Sequence, residues 1–196
     1  MKTGNTHRIA VIIRNGLLIL ATLVCIFSVC AYGYLRYGHP PVAVGDAPFP
    51  YEEQIVKIPL TARIDRQLST PPFAPTNDDL IAGARIYVQQ CATCHGGVNW
   101  KSDLATSMYP PPPGLWTKKN THGTLGVADD TPGSIYWKVD NGIRLTGMPA
   151  FNRILNDTQM WQVSLLLKRA GSPLPPAAMD ILDQANSPFR NSTDRQ

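Results

Sequence analysis

The chain has few cysteines, and their positions exclude several kinds of site. Only four occur among 196 residues. Cys25 and Cys30 lie inside an apolar run where a disulfide framework has no place, so we interpret them as small, membrane-compatible side chains. Cys91 and Cys94 form the other pair. A structural zinc site would need a second pair of ligands of the same kind, which this pair lacks.

The chain also lacks an excess of positive charge outside its first 40 residues. Its formal net charge is +4. Four basic residues precede residue 40, and that stretch contains no acidic residue. The rest of the chain therefore carries equal numbers of basic and acidic residues. This pattern gives no support to a nucleic-acid partner, which would need a basic surface on the folded domain.

Charge is absent from residues 16–35, a run of 20 mainly apolar residues. A helix of this length spans about 30 Å, the thickness of the hydrocarbon core of a bilayer. Three basic residues precede the run, namely Lys2, Arg8 and Arg14. The positive-inside rule then predicts a single-pass anchor over 1–38 in the cytoplasmic membrane, with a cytoplasmic N-terminus and the rest on the periplasmic, outer face. A cleaved signal peptide is the alternative, and it also exports the chain.

Prolines are concentrated in three segments, around residues 40–75, 110–113 and 173–176. Residues 39–76 contain eight of the 18 prolines and show no sustained helical or strand period, so we predict a connector there. It could be a passive linker, a tether for a moving domain, or a segment that wraps on the domain through the apolar residues of 51–66. Residues 172–196 are predicted to be a Pro-rich tail with a short helix near 177–184.

The most informative stretch is Cys91–His95, which has the form C-x-x-C-H. Two cysteines about one helical turn apart can form thioethers with the two vinyl groups of one porphyrin. The adjacent His95 can then bind the iron as the proximal ligand. A redox dithiol is the alternative, but it has no use for the adjacent histidine. The motif predicts one covalently attached haem c.

A helix is predicted to lead into this motif. Thr76 can cap it, and Leu80, Ala84, Tyr87 and Cys91 fall on one face. With Gly83 four residues before Tyr87, the segment resembles the N-terminal helix of class I cytochromes c, especially the membrane-anchored kind associated with bacterial terminal oxidases. The resemblance covers about residues 77–171. It implies an all-α class I cytochrome c fold, three to five helices around one covalently bound haem, with an N-terminal transmembrane helix.

Met148 is the candidate sixth ligand. A haem that only carries electrons needs a second axial ligand, and a thioether is soft and neutral. Pro149 favours an extended conformation at Met148, as a ligand on a loop requires. Gly147-Met148-Pro149 also resembles the methionine loop of the same family. The other candidates for this position are Met108, Met160, Met179 and His122.

Three further residues are candidate haem contacts. Residues 113–115, Pro-Gly-Leu, resemble the family loop whose proline carbonyl accepts a hydrogen bond from the proximal imidazole, which implies this role for Pro113, with Pro112 as the nearest alternative. Trp137, in a helix predicted over 131–142, is a candidate pocket wall. Trp137 and Arg144 could also meet a haem propionate.

The resemblance implies electron transfer in a respiratory-type chain by a protein that is not an enzyme. Its partners would be redox proteins, such as a terminal oxidase or a dehydrogenase, and the membrane. A fixed subunit of a larger complex is the second possibility. A haem sensor or enzyme is the third, and Met148 argues against it, as does the lack of a second C-x-x-C-H.

Overall fold

The computed structural model describes residues 3–118 and 123–184, and within these ranges it contains helices and no named strand. The helices are α1 (Thr3–Tyr37), α2 (Glu52–Arg66), α3 (Asn77–Gln90), α4 (Ala92–His95), α5 (Pro132–Asn141), α6 (Asp157–Lys168) and α7 (Pro176–Gln184), with a 3-10 turn at Leu104–Ser107. The predicted all-α class is confirmed.

The chain divides into two compact units, Met1–Pro50 and Tyr51–Gln196. The first contains α1, whose segment Arg8–Tyr37 has 30 residues. The most apolar stretch of this segment has a mean hydropathy of 2.4, and none of that stretch is buried. This segment is long and apolar enough to cross a membrane. A signal sequence near the N-terminus would meet the same criteria.

In the second unit α3 packs against both α6 and α7, and α5 packs against α6. The predicted core face of α3 is buried at Leu80, Ala84 and Tyr87. The closest approach of α3 to α6 is at Gly83. A Cβ atom there would lie 2.5 Å from the backbone oxygen of Gln162.

Side-chain caps fix where the two crossing helices begin. At α3 the Thr76 hydroxyl accepts from the Asp79 amide, and the Asp79 carboxylate accepts from the Thr76 amide. Asn156 and Gln159 form the same reciprocal pair at α6, with both bonds at 2.9 Å. Each cap satisfies amide groups that the first helical turn leaves without partners.

The connector predicted over 39–76 contains a helix, α2, although the sequence shows no sustained helical period there. Its first turn has Glu52 and Glu53, and its last turn has Arg63 and Arg66. Charges so placed interact favourably with the helix dipole and stabilise the helix. Pro59 inside the helix has the opposite effect, because it removes a backbone hydrogen bond. The helix packs on α5 near its C-terminal end, where Ile64 is buried.

The segment after α6 is also more structured than a Pro-rich tail. α7 forms within one residue of the predicted short helix and buries Ala178 and Leu182 against α3. Asn99, just after the C-x-x-C-H motif, donates a hydrogen bond of 3.0 Å to Asp183 at the end of α7. The part of the tail over 185–196 lies outside the described residues.

Candidate functional site

The C-x-x-C-H motif forms a tight turn at the end of α3. Cys91 ends α3 and precedes α4, which contains the remaining four residues of the motif. The carbonyl oxygen of Cys91 accepts from the amide of Cys94 at 3.2 Å and from that of His95 at 2.9 Å. These bonds hold both cysteines and the histidine on a single turn, as attachment to one porphyrin and its iron requires.

His95 is oriented by Pro113. Its Nδ1 atom lies 2.8 Å from the carbonyl oxygen of Pro113, the contact that the family resemblance implies. Because a carbonyl oxygen can only accept, Nδ1 carries the proton and Nε2 has its lone pair free for a metal. Burial lowers the pKa of His95, while the bond to Pro113 opposes that shift. Burial therefore favours the neutral imidazole, which is the form that binds iron.

The two cysteines of the motif are free thiols. Burial raises the pKa of the Cys91 thiol to about 12, and the nearby Cys94 adds to that shift. A redox-active dithiol needs the opposite, a thiol whose pKa is lowered so that the thiolate is present near neutral pH. Among the residues that the structure describes, no group of three or more His, Cys, Asp or Glu side chains could hold a metal ion. Both observations argue against the dithiol and zinc alternatives.

Two buried side chains hold this turn from the domain side. The Tyr87 hydroxyl donates to the carbonyl oxygen of Gly96 at 2.6 Å, directly after His95. The Ser102 hydroxyl donates to the carbonyl oxygen of Thr93 at 2.6 Å. Tyr87 also meets Trp116 edge to face, with ring centroids 5.6 Å apart. Ser102 carries no sequence signal for this role, because its partner comes close only once the chain has folded.

Met148 lies on a loop that turns back onto the end of α5. The Met148 amide donates to the Thr146 hydroxyl at 3.2 Å, and its carbonyl oxygen accepts from the Ile143 amide at 3.2 Å. The Phe151 amide donates to the carbonyl oxygen of Val139 in α5 at 3.0 Å. The Met148 side chain is half-buried and packs against the core. Its backbone is thus held in a non-helical conformation on both sides.

Gly142 allows this loop to turn back. Its φ is 65°, and a Cβ atom there would lie 2.6 Å from the carbonyl carbon of Pro149. Because Gly142 also has a ψ of −173°, a region that almost only glycine adopts, we expect Gly142→Ala to strain the backbone by about 1–3 kcal/mol before any clash and to displace the Met148 loop. If Met148 binds iron, part of the ferric protein should lose its methionine–iron absorption. Gly171→Ala is the matched control, because Gly171, which follows α6, also has a positive φ, 86°, and its nearest neighbours are atoms of the Leu125 side chain. Unchanged ligation in Gly142→Ala would contradict the assignment.

The other two predicted haem contacts, Trp137 and Arg144, differ in their surroundings. The indole N–H of Trp137 donates to Gln67 at 3.0 Å, so it is engaged by the segment after α2 rather than free for a propionate. A role for its ring as pocket wall stays a prediction. Arg144 is exposed in the loop before Met148.

The alternative ligands also differ in position. Met160 is buried in α6, and Met179 is half-buried against the core in α7. Met108 is half-buried, and its methyl group lies where a Cβ atom of Gly147 would be. His122 lies outside the described residues. Met108 contacts the Met148 loop at Gly147.

Residues 78–165 match the family model described as "Cytochrome C oxidase, cbb3-type, subunit III". This segment is similar to a cytochrome c domain, and we refer to it as the cytochrome domain on that basis. No curated protein and no solved structure matches the chain. The family match covers α3 to most of α6, and therefore both the C-x-x-C-H turn and the Met148 loop of the cytochrome domain.

The donor set of the cytochrome domain fits a c-type haem. Two free thiols and an imidazole with an available Nε2 atom lie on one turn, and a half-buried thioether lies on a constrained loop. Haem, when bound, supplies an iron that changes between the ferrous and ferric states. Nitrogen and thioether sulfur are the ligands that a low-spin haem iron accepts in electron carriers.

Proposed function

We propose that this protein is a membrane-tethered c-type cytochrome that carries single electrons in a respiratory-type chain. One haem c is attached through Cys91 and Cys94 and held by His95 on the proximal side and Met148 on the distal side. The observation that carries the proposal is the C-x-x-C-H turn, with His95 fixed by Pro113 at 2.8 Å. The match to a cytochrome c family supports haem binding independently.

The residues of the chain have roles that fit electron transfer without chemistry on a substrate. Pro113 fixes the ring plane of His95, which would orient its Nε2 atom toward the iron of a bound haem. The Met148 loop is held by a hydrogen bond from the Ile143 amide and by one to the Thr146 hydroxyl, so little rearrangement would accompany a change of iron charge. With both axial positions filled by the protein, small molecules have no open site at the iron.

The first unit supports the membrane part of the proposal. α1 contains an apolar segment of 30 residues, and the basic residues Lys2, Arg8 and Arg14 precede its uncharged core. By the positive-inside rule the cytochrome domain would lie on the periplasmic face, where its electron donors and acceptors would meet it. A reporter fused after residue 184 would test this orientation. We expect the reporter to be accessible from the periplasmic side, and a reporter accessible only from the cytoplasm would contradict the proposal.

A fixed subunit of an oxidase is the second candidate function. The observation that favours it is the family description itself, which names a subunit of a cytochrome c oxidase. Purification from native membranes in mild detergent separates the candidates. Stoichiometric recovery with oxidase subunits favours the fixed subunit, and recovery of the chain alone favours the shuttle.

Covalent attachment is tested by removing the two motif cysteines. We expect Cys91→Ala/Cys94→Ala, expressed with a cytochrome c maturation system, to lose all haem that survives a denaturing gel. The chain offers a matched control in Cys25→Ala/Cys30→Ala, because these cysteines are exposed on α1 and remote in sequence from the motif. That control should retain full haem staining. Covalent haem in the Cys91/Cys94 variant, or its absence from the unmodified chain, would contradict the proposal.

A further inference from the structure

Met108 has a contact that the proposed haem ligands do not account for. Its methyl carbon lies 2.3 Å from the position that a Cβ atom of Gly147 would occupy, and no other atom outside the immediate chain neighbours comes within 4 Å of that position. The methyl group therefore packs directly on the Gly147 backbone, one residue before Met148. The half-buried Met179, in contrast, packs against the hydrophobic core.

The backbone around Met108 is held in place by a hydrogen bond of its own amide and by a side-chain interaction of the next residue, Tyr109. Its amide donates to the carbonyl oxygen of Ala105 at 3.4 Å, at the end of the 3-10 turn. Tyr109 interacts with Glu52 at the start of α2, and desolvation together with that carboxylate raises the pKa of Tyr109. Met108 is thus a side chain on a fixed backbone, directed at the loop of the distal ligand.

The segment that begins at Met108 ends at the partner of the proximal ligand. Four prolines, Pro110–Pro113, follow Tyr109, and the carbonyl oxygen of Pro113 contacts His95. The five Cα–Cα steps from Met108 to Pro113 span at most about 18 Å, and prolines restrict the backbone to few conformations. One stiff segment therefore contacts both proposed axial ligands or their surroundings. Its first residue, Met108, contacts the Met148 loop at Gly147, and its last residue, Pro113, contacts the imidazole of His95.

We propose that Met108 is a positioning residue for the distal ligand: its methyl group packs on Gly147 and holds the Met148 loop in place for bonding to iron. This inference rests on the proposed ligation by Met148. The role comes from packing and not from the sulfur atom, so a leucine at position 108 should replace it. Gly147 is required because any side chain there would displace the Met108 methyl group.

Displacement of Met148 by imidazole in the ferric full-length protein measures how firmly the loop holds its ligand. We expect Met108→Ala to lower the imidazole concentration at half-displacement by about tenfold, which corresponds to ~1.4 kcal/mol. Met108→Leu should stay close to the unmodified protein. Met179→Ala is the matched control, because it removes a half-buried methionine that packs elsewhere, and it should leave the titration unchanged.

A double-mutant cycle tests whether Met108 acts through Gly147. Gly147→Ala should weaken ligation in the unmodified chain, because the new methyl group displaces the flexible end of Met108. In the Met108→Ala background the space is free, so the same change should have no further effect. Equal effects of Gly147→Ala in both backgrounds would overturn the inference, as would failure of Met108→Leu to preserve ligation.

The inference and the proposed function fail in different ways. If the unmodified ferric protein shows no methionine–iron absorption, the proposed ligation by Met148 is wrong. If that absorption is present and Met108→Ala titrates like the unmodified protein, only the role of Met108 is wrong.

Discussion

Met148→Ala is expected to lower the reduction potential by on the order of hundreds of millivolts, within the ~0.8 V range that axial ligands set. A neutral thioether stabilises the ferrous state, whereas water, its replacement, stabilises the ferric state better. The variant should also bind imidazole or cyanide readily, because its sixth position is open. Potentiometric titration of the full-length protein, followed by its absorption in the visible range, measures the shift.

Met179→Ala provides the control for this experiment. Met179 is a half-buried methionine that contacts the core from α7, so its loss changes packing without removing the proposed ligand. Its potential should match that of the unmodified protein. A potential unchanged in Met148→Ala would show that another residue is the sixth ligand, and the same titration of Met108→Ala, Met160→Ala and a His122 variant would then identify it.

Gly83→Leu is expected to prevent stable folding of the cytochrome domain. A Cβ atom at this position would lie 2.5 Å from the backbone oxygen and 2.9 Å from the carbonyl carbon of Gln162. Backbone atoms cannot move aside as a side-chain end can, so α3 and α6 would have to separate. Overpacking of this kind costs about 3 kcal/mol or more, a large part of the ~5–15 kcal/mol that stabilises a typical domain.

Thermal unfolding followed by circular dichroism measures this loss. Arg85→Leu is the control, because Arg85 is an exposed residue of the same helix and a leucine there meets no neighbouring helix. Its unfolding temperature should change little, since exposed substitutions are usually within about 0.5 kcal/mol of neutral. Equal stability of the two variants would contradict the close crossing of α3 and α6.

The parts of the fold that sequence predicted correctly depend on local chemistry. Thr76 caps α3 through reciprocal bonds with Asp79, three residues further on, and the apolar spacing from Leu80 to Tyr87 identifies the buried face. The turn at Gly142 follows from a glycine at the end of a predicted helix. Each of these signals lies within one or two helical turns of the chain.

Contacts between segments distant in sequence were not predictable in the same way. Trp161 stacks on Tyr136, with 4.1 Å between the ring centroids. The residue after it, Gln162, contributes the backbone that lies against Gly83. Spacing along a helix identifies which residues face inward, but which partner each one meets depends on the crossing angle.

The helix α2 shows why composition alone misled. Eight prolines over 39–76 favour extended structure, but seven of them lie outside Glu52–Arg66. Within α2 the acidic first turn and basic last turn were the available signal for a helix. The packing of α2 on α5, the burial of Ile64 and the bond from Trp137 to Gln67 could not be inferred without the fold.

The absorption spectrum of the purified, full-length ferric protein tests the central claim most directly. Ligation by His95 and Met148 predicts a low-spin haem with the weak far-red band that arises from charge transfer between methionine sulfur and ferric iron. Reduction should give the sharp visible bands of a low-spin haem c. A high-spin ferric spectrum, or a low-spin spectrum without the sulfur band, would contradict ligation by Met148 and with it the assignment as a dedicated electron carrier.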